Sequence, residues 1–307
     1  MTIRIALVGL GKIARAEHLP VIDADERYSL VAVVTRGDDP GAGVPFFSSI
    51  GALVAAMPGG VDAVVLCTPP SARFEIAREA IGASLGVLLE KPPAVTLGEI
   101  AELERLARAA NTPLYTAWHS QHAPGVAEAA EVLAGQAVTS VRTIWCEDVR
   151  KWHPGQQWVW QPGGFGVFDP GINGLSILTR VLPSSLLIKH ARLLIPANRQ
   201  APIAADVTFA GIDGRAQFDW RGTQTEQWSV AVTTTSGMTI ELQRGGHALS
   251  INGIPQDLPL RREYPVIYDT FAEVVRHRMV EVDAEPLRIV ADAFLCGARE
   301  TVEAFVE

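Results

Sequence analysis

The chain has 307 residues, 48% hydrophobic and 20% charged. That composition supports a large buried core and excludes global disorder, and the length suggests two domains. Its 26 basic and 34 acidic residues leave a net charge of −8, with no basic run to neutralise a phosphate backbone, which argues against nucleic acid as a partner.

Residues 3–8 form a β-branched-rich run that breaks at Gly9 and Gly11 before a helical pattern over residues 13–25. Residues 30–34, 63–67, 87–89 and 114–117 repeat the apolar signature of buried parallel strands. Helical patterns over 49–57 and 71–83 lie between them. Thr96 with Glu99 reads as a capping box for a helix whose apolar face carries Leu97, Ile100, Leu103 and Leu106, ended by Asn111 and Pro113. Strand and helix alternating at these lengths predict an α/β fold with a doubly wound parallel sheet, the Rossmann arrangement.

After residue 118 the texture changes. A helix over 125–134, a strand over 138–148, a Trp-, Gly- and Pro-rich loop over 151–171 and a helix over 172–181 are expected. Alternating runs between 192 and 251 follow, punctuated by Asp213-Gly214 and Asn252-Gly253 turns. Helices over 265–277 and 286–305 end the chain. The expectation is a cofactor domain over 1–118 and an α+β domain over 119–307 with a mostly antiparallel, mixed open sheet, its last helix placed to pack back on the first domain.

Cys67, Cys146 and Cys296 are odd in number and include no CxxC pair. Neither a disulfide framework nor a structural zinc is implied, and a reducing, cytoplasmic setting is expected. The apolar N-terminus runs straight into the glycine motif without a cleavage site. No stretch approaches the ~20 apolar residues of a membrane span, so no membrane partner is expected.

Gly9-Leu10-Gly11-Lys12-Ile13-Ala14 is a G-x-G-x-x-A fingerprint after strand one. Its glycines let the backbone approach a pyrophosphate whose charge sits on the helix N-terminus. Strand two ends in Thr35-Arg36, with Asp38 and Asp39 only later. A hydroxyl and an arginine there suit a 2′-phosphate, so NADP is the expected cofactor, with NAD as the alternative. Cys67-Thr68-Pro69 and Glu90-Lys91-Pro92 end strands three and four, where open α/β sheets bind ligands. With Gly9, Gly11, Lys12, Ile13, Thr35 and Arg36, the residues Cys67, Thr68, Pro69, Glu90 and Lys91 form the expected cofactor site. Lysine is scarce here: Lys12, Lys91, Lys151 and Lys189 are its four occurrences. Coding bias suffices to explain that, yet two of them fall inside these motifs.

The stretch Leu89-Glu90-Lys91-Pro92, after the glycine turn and the Thr-Pro-Pro turn, resembles the glucose–fructose oxidoreductase / inositol dehydrogenase / rhizopine-catabolism family. Asp169-Pro170-Gly171-Ile172-Asn173 matches that family's D-x-G-x-H except that asparagine replaces histidine. Asparagine orients a hydroxyl but cannot be a general base. The block from Trp145 through Trp158, with Trp118-His119-Ser120, is similar to the family's bacterial aldose 1-dehydrogenases acting on L-arabinose and D-galactose. The resemblance implies oxidation of C1 of a cyclic aldose to the aldono-lactone, with Lys91 and Asp169 catalytic and His119, Glu147, Trp152, His153 and Asn173 binding the sugar. It also implies a homo-dimer or homo-tetramer assembled through the C-terminal sheet, in which strands over 233–244 supply contacts. A metal held by Glu147, Asp148 and His153 is set aside, because the spacing is not that of helical zinc sites. His18, His122, His190, His247 and His277 lie in no motif and read as structural or exposed. The competing readings are a dehydrogenase for an inositol or another ring, and a non-catalytic sensor of the same fold that binds NADP(H) or sugar.

Overall fold

The computed structural model describes residues 2–37, 41–223 and 225–306; Asp38 and Asp39 lie outside them. In chain order, β1 (Ile3–Val8) leads into a π-helical segment, Ala14–His18, and α1 (Leu19–Ala24). Then come β2 (Tyr28–Val34), β3 (Phe46–Phe47), α2 (Ile50–Ala56), β4 (Ala63–Leu66), α3 (Pro70–Gly82), β5 (Gly86–Glu90), α4 (Leu97–Ala109) and β6 (Leu114–Ala117). They are followed by α5 (Pro124–Leu133), β7 (Val138–Cys146), α6 (Val149–Trp152), α7 (Phe168–Val181), β8 (Ile188–Pro196), β9 (Ala204–Phe209) and β10 (Asp213–Asp219). The chain ends with β11 (Gln227–Thr234), β12 (Thr239–Gln243), β13 (Ala248–Ile251), β14 (Ile254–Pro255), α8 (Glu263–His277), β15 (Val280–Glu281), α9 (Glu285–Cys296) and β16 (Gly297–Val302).

The first compact unit takes the chain up to Ala117 together with Tyr264–Asp283. Its sheet has the order β15-β6-β5-β4-β1-β2-β3, with every pair parallel. Strands β4 and β5 are buried along their whole length, which is why they read as unbroken apolar runs. Strands β1 and β4 are neighbours, so the order reverses between them and their carboxyl ends open at the switch point. The capping box on α4 forms: Glu99 N–H donates to Thr96 Oγ1 at 3.1 Å, and Thr96 N–H donates to Glu99 Oε2 at 3.0 Å.

Residues 264–283 were expected in the second domain, but they complete the first unit. β15 pairs with β6, and α8 buries Tyr264, Ile267, Tyr268 and Phe271 in the cluster that contains Ile5, Leu7 and Val33. An amphipathic helix announces an apolar face in its sequence, not the sheet that covers it.

The second unit comprises Trp118–Glu263 and the residues from Ala284 onward. Its nine-stranded sheet has the order β14-β13-β12-β11-β7-β10-β9-β8-β16 and is mixed: β7/β10 and β8/β16 are parallel, the rest antiparallel. Helix α7 presses on this sheet through glycines. A Cβ at Gly171 would lie 2.6 Å from Phe218, and one at Gly174 would lie 2.7 Å from Trp145. The expected last helix stops at Cys296, and Gly297–Val302 is strand. After α9 the chain turns to extended backbone at Gly297, where a Cβ on that backbone would lie 2.4 Å from Ala293 O, and β16 joins β8 in this unit rather than the first.

Because α7 has no room for a larger residue at this contact, Gly174→Val is expected to lower unfolding free energy by about 1–3 kcal/mol, as overpacking does. Urea denaturation checks this, and an unchanged midpoint would refute the packing argument.

Candidate active site

The glycine turn has the shape a dinucleotide requires. Gly9 takes φ +84°, and a Cβ there would lie 3.2 Å from the Thr68 nitrogen, so only glycine fits against the Cys67-Thr68-Pro69 turn. A Cβ on Gly11 would meet nothing within 4 Å, which leaves open space in front of the backbone where Lys12 and Ile13 start the helix. Beside it, Thr68 Oγ1 is buried without a hydrogen-bond partner, a group that a bound cofactor would satisfy. Thr35 and the exposed Arg36 follow β2. These residues fit a dinucleotide, whose pyrophosphate the open glycine turn and the helix start would hold.

At the end of β5, Glu90 is 2% exposed. Its Oε1 accepts from Tyr264 OH at 2.8 Å and meets His18 Nε2 at 3.0 Å, while its Oε2 accepts from the Lys91 backbone N–H at 3.0 Å. The other nitrogen of His18 lies 2.9 Å from Tyr268 OH. Burial opposes the imidazolium, but the Cys67 sulfur and the Glu90 carboxylate outweigh it and hold the His18 pKa up at about 10. Arg73, also buried, donates from Nη1 to the carbonyl oxygens of Glu90 and Pro92. The Lys91-Pro92 peptide is cis. His18, read from sequence as structural or exposed, therefore sits against the Glu-Lys-Pro motif. Arg73, Tyr264 and Tyr268 were missed; the i, i+4 spacing of the two tyrosines was the one signal available.

In the second unit, α7 begins at Phe168, earlier than expected, so Asp169 and Asn173 stand one turn apart on the same face. Asp169 is buried, and its Oδ2 lies 3.6 Å from His153 Nε2. The His153 ring packs 5.0 Å from Trp220. Glu147, also buried, accepts the indole N–H of Trp220 and of Trp228, each at 3.0 Å. Trp152 meets Trp228 edge-on at 5.6 Å, and its indole donates to Glu226 at 2.6 Å; Lys151 binds that same carboxylate. The structure thus gathers Glu147, His153 and Asp169 around Trp220, with Trp152 beyond Trp228.

His119 has another setting: its Nδ1 lies 2.9 Å from Glu263, whose other oxygen is 3.5 Å from His247 Nε2. Burial alone would raise the Glu263 carboxyl, but the two imidazoles outweigh it and hold it well below the carboxylate range. Burial, then Arg180, pushes His122 down to about 4. Among the described residues no group of three or more His, Cys, Asp or Glu side chains is placed to hold a metal ion, and no helix is long and apolar enough to cross a membrane.

Residues 3–117 match the family model described as an oxidoreductase family with an NAD-binding Rossmann fold. Galactose 1-dehydrogenase from Pseudomonas fluorescens is 44% identical over 310 residues, 99% of each chain. The crystal structure of D-galactose-1-dehydrogenase from Rhizobium etli superposes with a TM-score of 0.93 at 46% identity, over 99% of this chain and 98% of that one. A 3-ketoreductase from Actinomadura kijaniata, solved with NADP and TDP-benzene, shares the fold at TM-score 0.84 and 17% identity, over 98% of this chain and 100% of that one. The chain belongs to this oxidoreductase family.

Glu263 titrates below its ordinary value of 4.5, so it contributes stability above that pH and loses it as pH falls through the folded pKa. The stability difference between wild type and Glu263→Gln is expected to be widest near neutral pH and to narrow below pH 4.5. Denaturant titrations across pH check this; a constant gap would remove the ion-pair account.

Proposed function

We propose that this protein is an aldose 1-dehydrogenase that oxidises C1 of D-galactose and of L-arabinose to the aldono-lactone, with NADP⁺ preferred over NAD⁺. The supporting observation is a lysine fixed at the carboxyl end of a cofactor-sheet strand, in a chain collinear with galactose 1-dehydrogenase at 44% identity. The two sugars share the hydroxyl configuration around the ring and differ by a hydroxymethyl group, so a pocket with space there accepts both.

The cofactor would supply a hydride acceptor at its nicotinamide ring. Lys91 takes the proton of the C1 hydroxyl as hydride leaves, and Asp169 orients the reacting group or shares that proton. Asn173 and His153 hold the sugar. The Glu147 carboxylate, aligned by two indoles, and His119, oriented by Glu263, read other hydroxyls. Indole faces such as Trp152 suit the C–H patches of the ring. On the cofactor side, Arg36 binds the 2′-phosphate. Assembly through the nine-stranded sheet is part of the same reading, and light scattering on the purified protein tests it.

A spectrophotometric panel of aldoses and inositols with both cofactors tests the function. Reduction with D-galactose and L-arabinose is expected; activity on inositols alone, or NADP(H) binding with no turnover on any substrate, would replace this reading. Lys91→Ala is expected to lower kcat by about 10²-fold or more, the usual contribution of a general base, and near wild-type turnover would remove its role. Arg36→Ala is expected to raise the KM for NADP⁺ about 10-fold or more, as loss of a charge-assisted hydrogen bond does, and to leave that for NAD⁺ unchanged. A preference for NAD⁺ in the wild type that survives this substitution would contradict the 2′-phosphate assignment.

A further inference from the structure

We propose that Tyr264, His18 and Arg73 are positioning residues for the reaction, fixing the backbone of Lys91 from three separate elements, with Glu90 as the intermediary for the first two. The inference rests on the role given to Lys91 above. A lysine amine on four rotatable bonds is placed only as well as its backbone. At the Glu-Lys-Pro turn the polar backbone groups are taken one by one: Lys91 N–H by the Glu90 carboxylate, and the carbonyl oxygens of Glu90 and Pro92 by Arg73.

The Glu90 side chain is itself immobilised at Oε1 by Tyr264 from α8 and by His18 from the π-helical segment. Tyr268, one turn along α8, holds the far nitrogen of His18. All five side chains are buried: His18 and Tyr268 at 0% exposure, Glu90 at 2%, Arg73 and Tyr264 at 4%. Cys67, at the end of β4, is the other ionisable neighbour of His18. His18 meets the Glu90 carboxylate, while Arg73 meets the backbone carbonyls on either side of Lys91. The Glu90 carboxylate is thereby held at both oxygens, Oε1 by Tyr264 and His18 and Oε2 by the Lys91 backbone N–H.

The test uses the full-length protein with Tyr264→Phe, which removes one hydroxyl and keeps the ring, and His18→Gln. In ligand-free protein, hydrogen exchange followed by mass spectrometry over residues 86–95 is expected to accelerate about tenfold at the Lys91 amide, the factor of one lost net hydrogen bond. Under turnover with D-galactose deuterated at C1, the same variants are expected to show a kcat reduced about tenfold or more, a sugar KM close to wild type and a larger deuterium isotope effect. Tyr28→Phe removes a hydroxyl that donates to Tyr268 O at 2.6 Å without touching Glu90, and it is expected to leave Lys91 exchange and the isotope effect as in wild type.

Wild-type exchange at Lys91 in both Tyr264→Phe and His18→Gln would overturn the proposal. So would an equal acceleration in Tyr28→Phe, which would mark general loosening. Should wild type oxidise no aldose, the enzymatic reading fails, while the exchange measurement still decides whether these residues hold Lys91.

Discussion

A carboxylate buried at the end of β5 imposes conditions that much of the first unit meets. Leaving one partner of such a buried group missing typically costs about 3–5 kcal/mol, so Glu90 has to collect donors. It finds them on the Lys91 backbone, on Tyr264 and on His18. That need accounts for two features that strand and helix patterning leaves unexplained. Residues 264–283 return to the first unit with Tyr264 as their leading residue, and the π-helical segment of the first helix ends on His18. π-Helical turns are uncommon and gather at functional sites; here the turn delivers an imidazole to the base of the Glu-Lys-Pro motif.

The second unit handles buried acids differently. Glu147 is held by two neutral indole donors, and Asp169 lies in the first turn of α7 beside His153. The close approach of α7 to the sheet through Gly171 and Gly174 brings Asp169 to the aromatic block that includes Trp220. Packing and geometry are therefore one requirement: small residues face the sheet, while Asp169 and Asn173 stand one turn apart on α7. Trp160, by contrast, is buried against Trp220 and Phe305 as part of the core.

What could be read from the sequence was what is local. The glycine turn, the capping box of Thr96 and Glu99, and the apolar strands of the parallel sheet each announce themselves within a few residues, and the structure forms them. The pairing of Glu147, His153 and Asp169 is local in the same sense, since a single block of sequence carries them. The partners of Glu90 were not legible. His18 lies 72 residues before it and Tyr264 174 residues after it, and neither stands in a motif. Residues 286–305 misled for another reason: the helical apolar pattern continues past Cys296, while Gly297 and an open strand edge on β8 turn the chain into β16.

In the proposed reaction hydride leaves C1 of the sugar for the cofactor while Lys91 takes the proton. D-Galactose carrying deuterium at C1 and NADP⁺, incubated with the wild-type protein, tests it by mass spectrometry of both products. Reduced cofactor heavier by one deuterium and galactonolactone free of label are expected. Reduced cofactor without deuterium, or label retained in the sugar product, would contradict it.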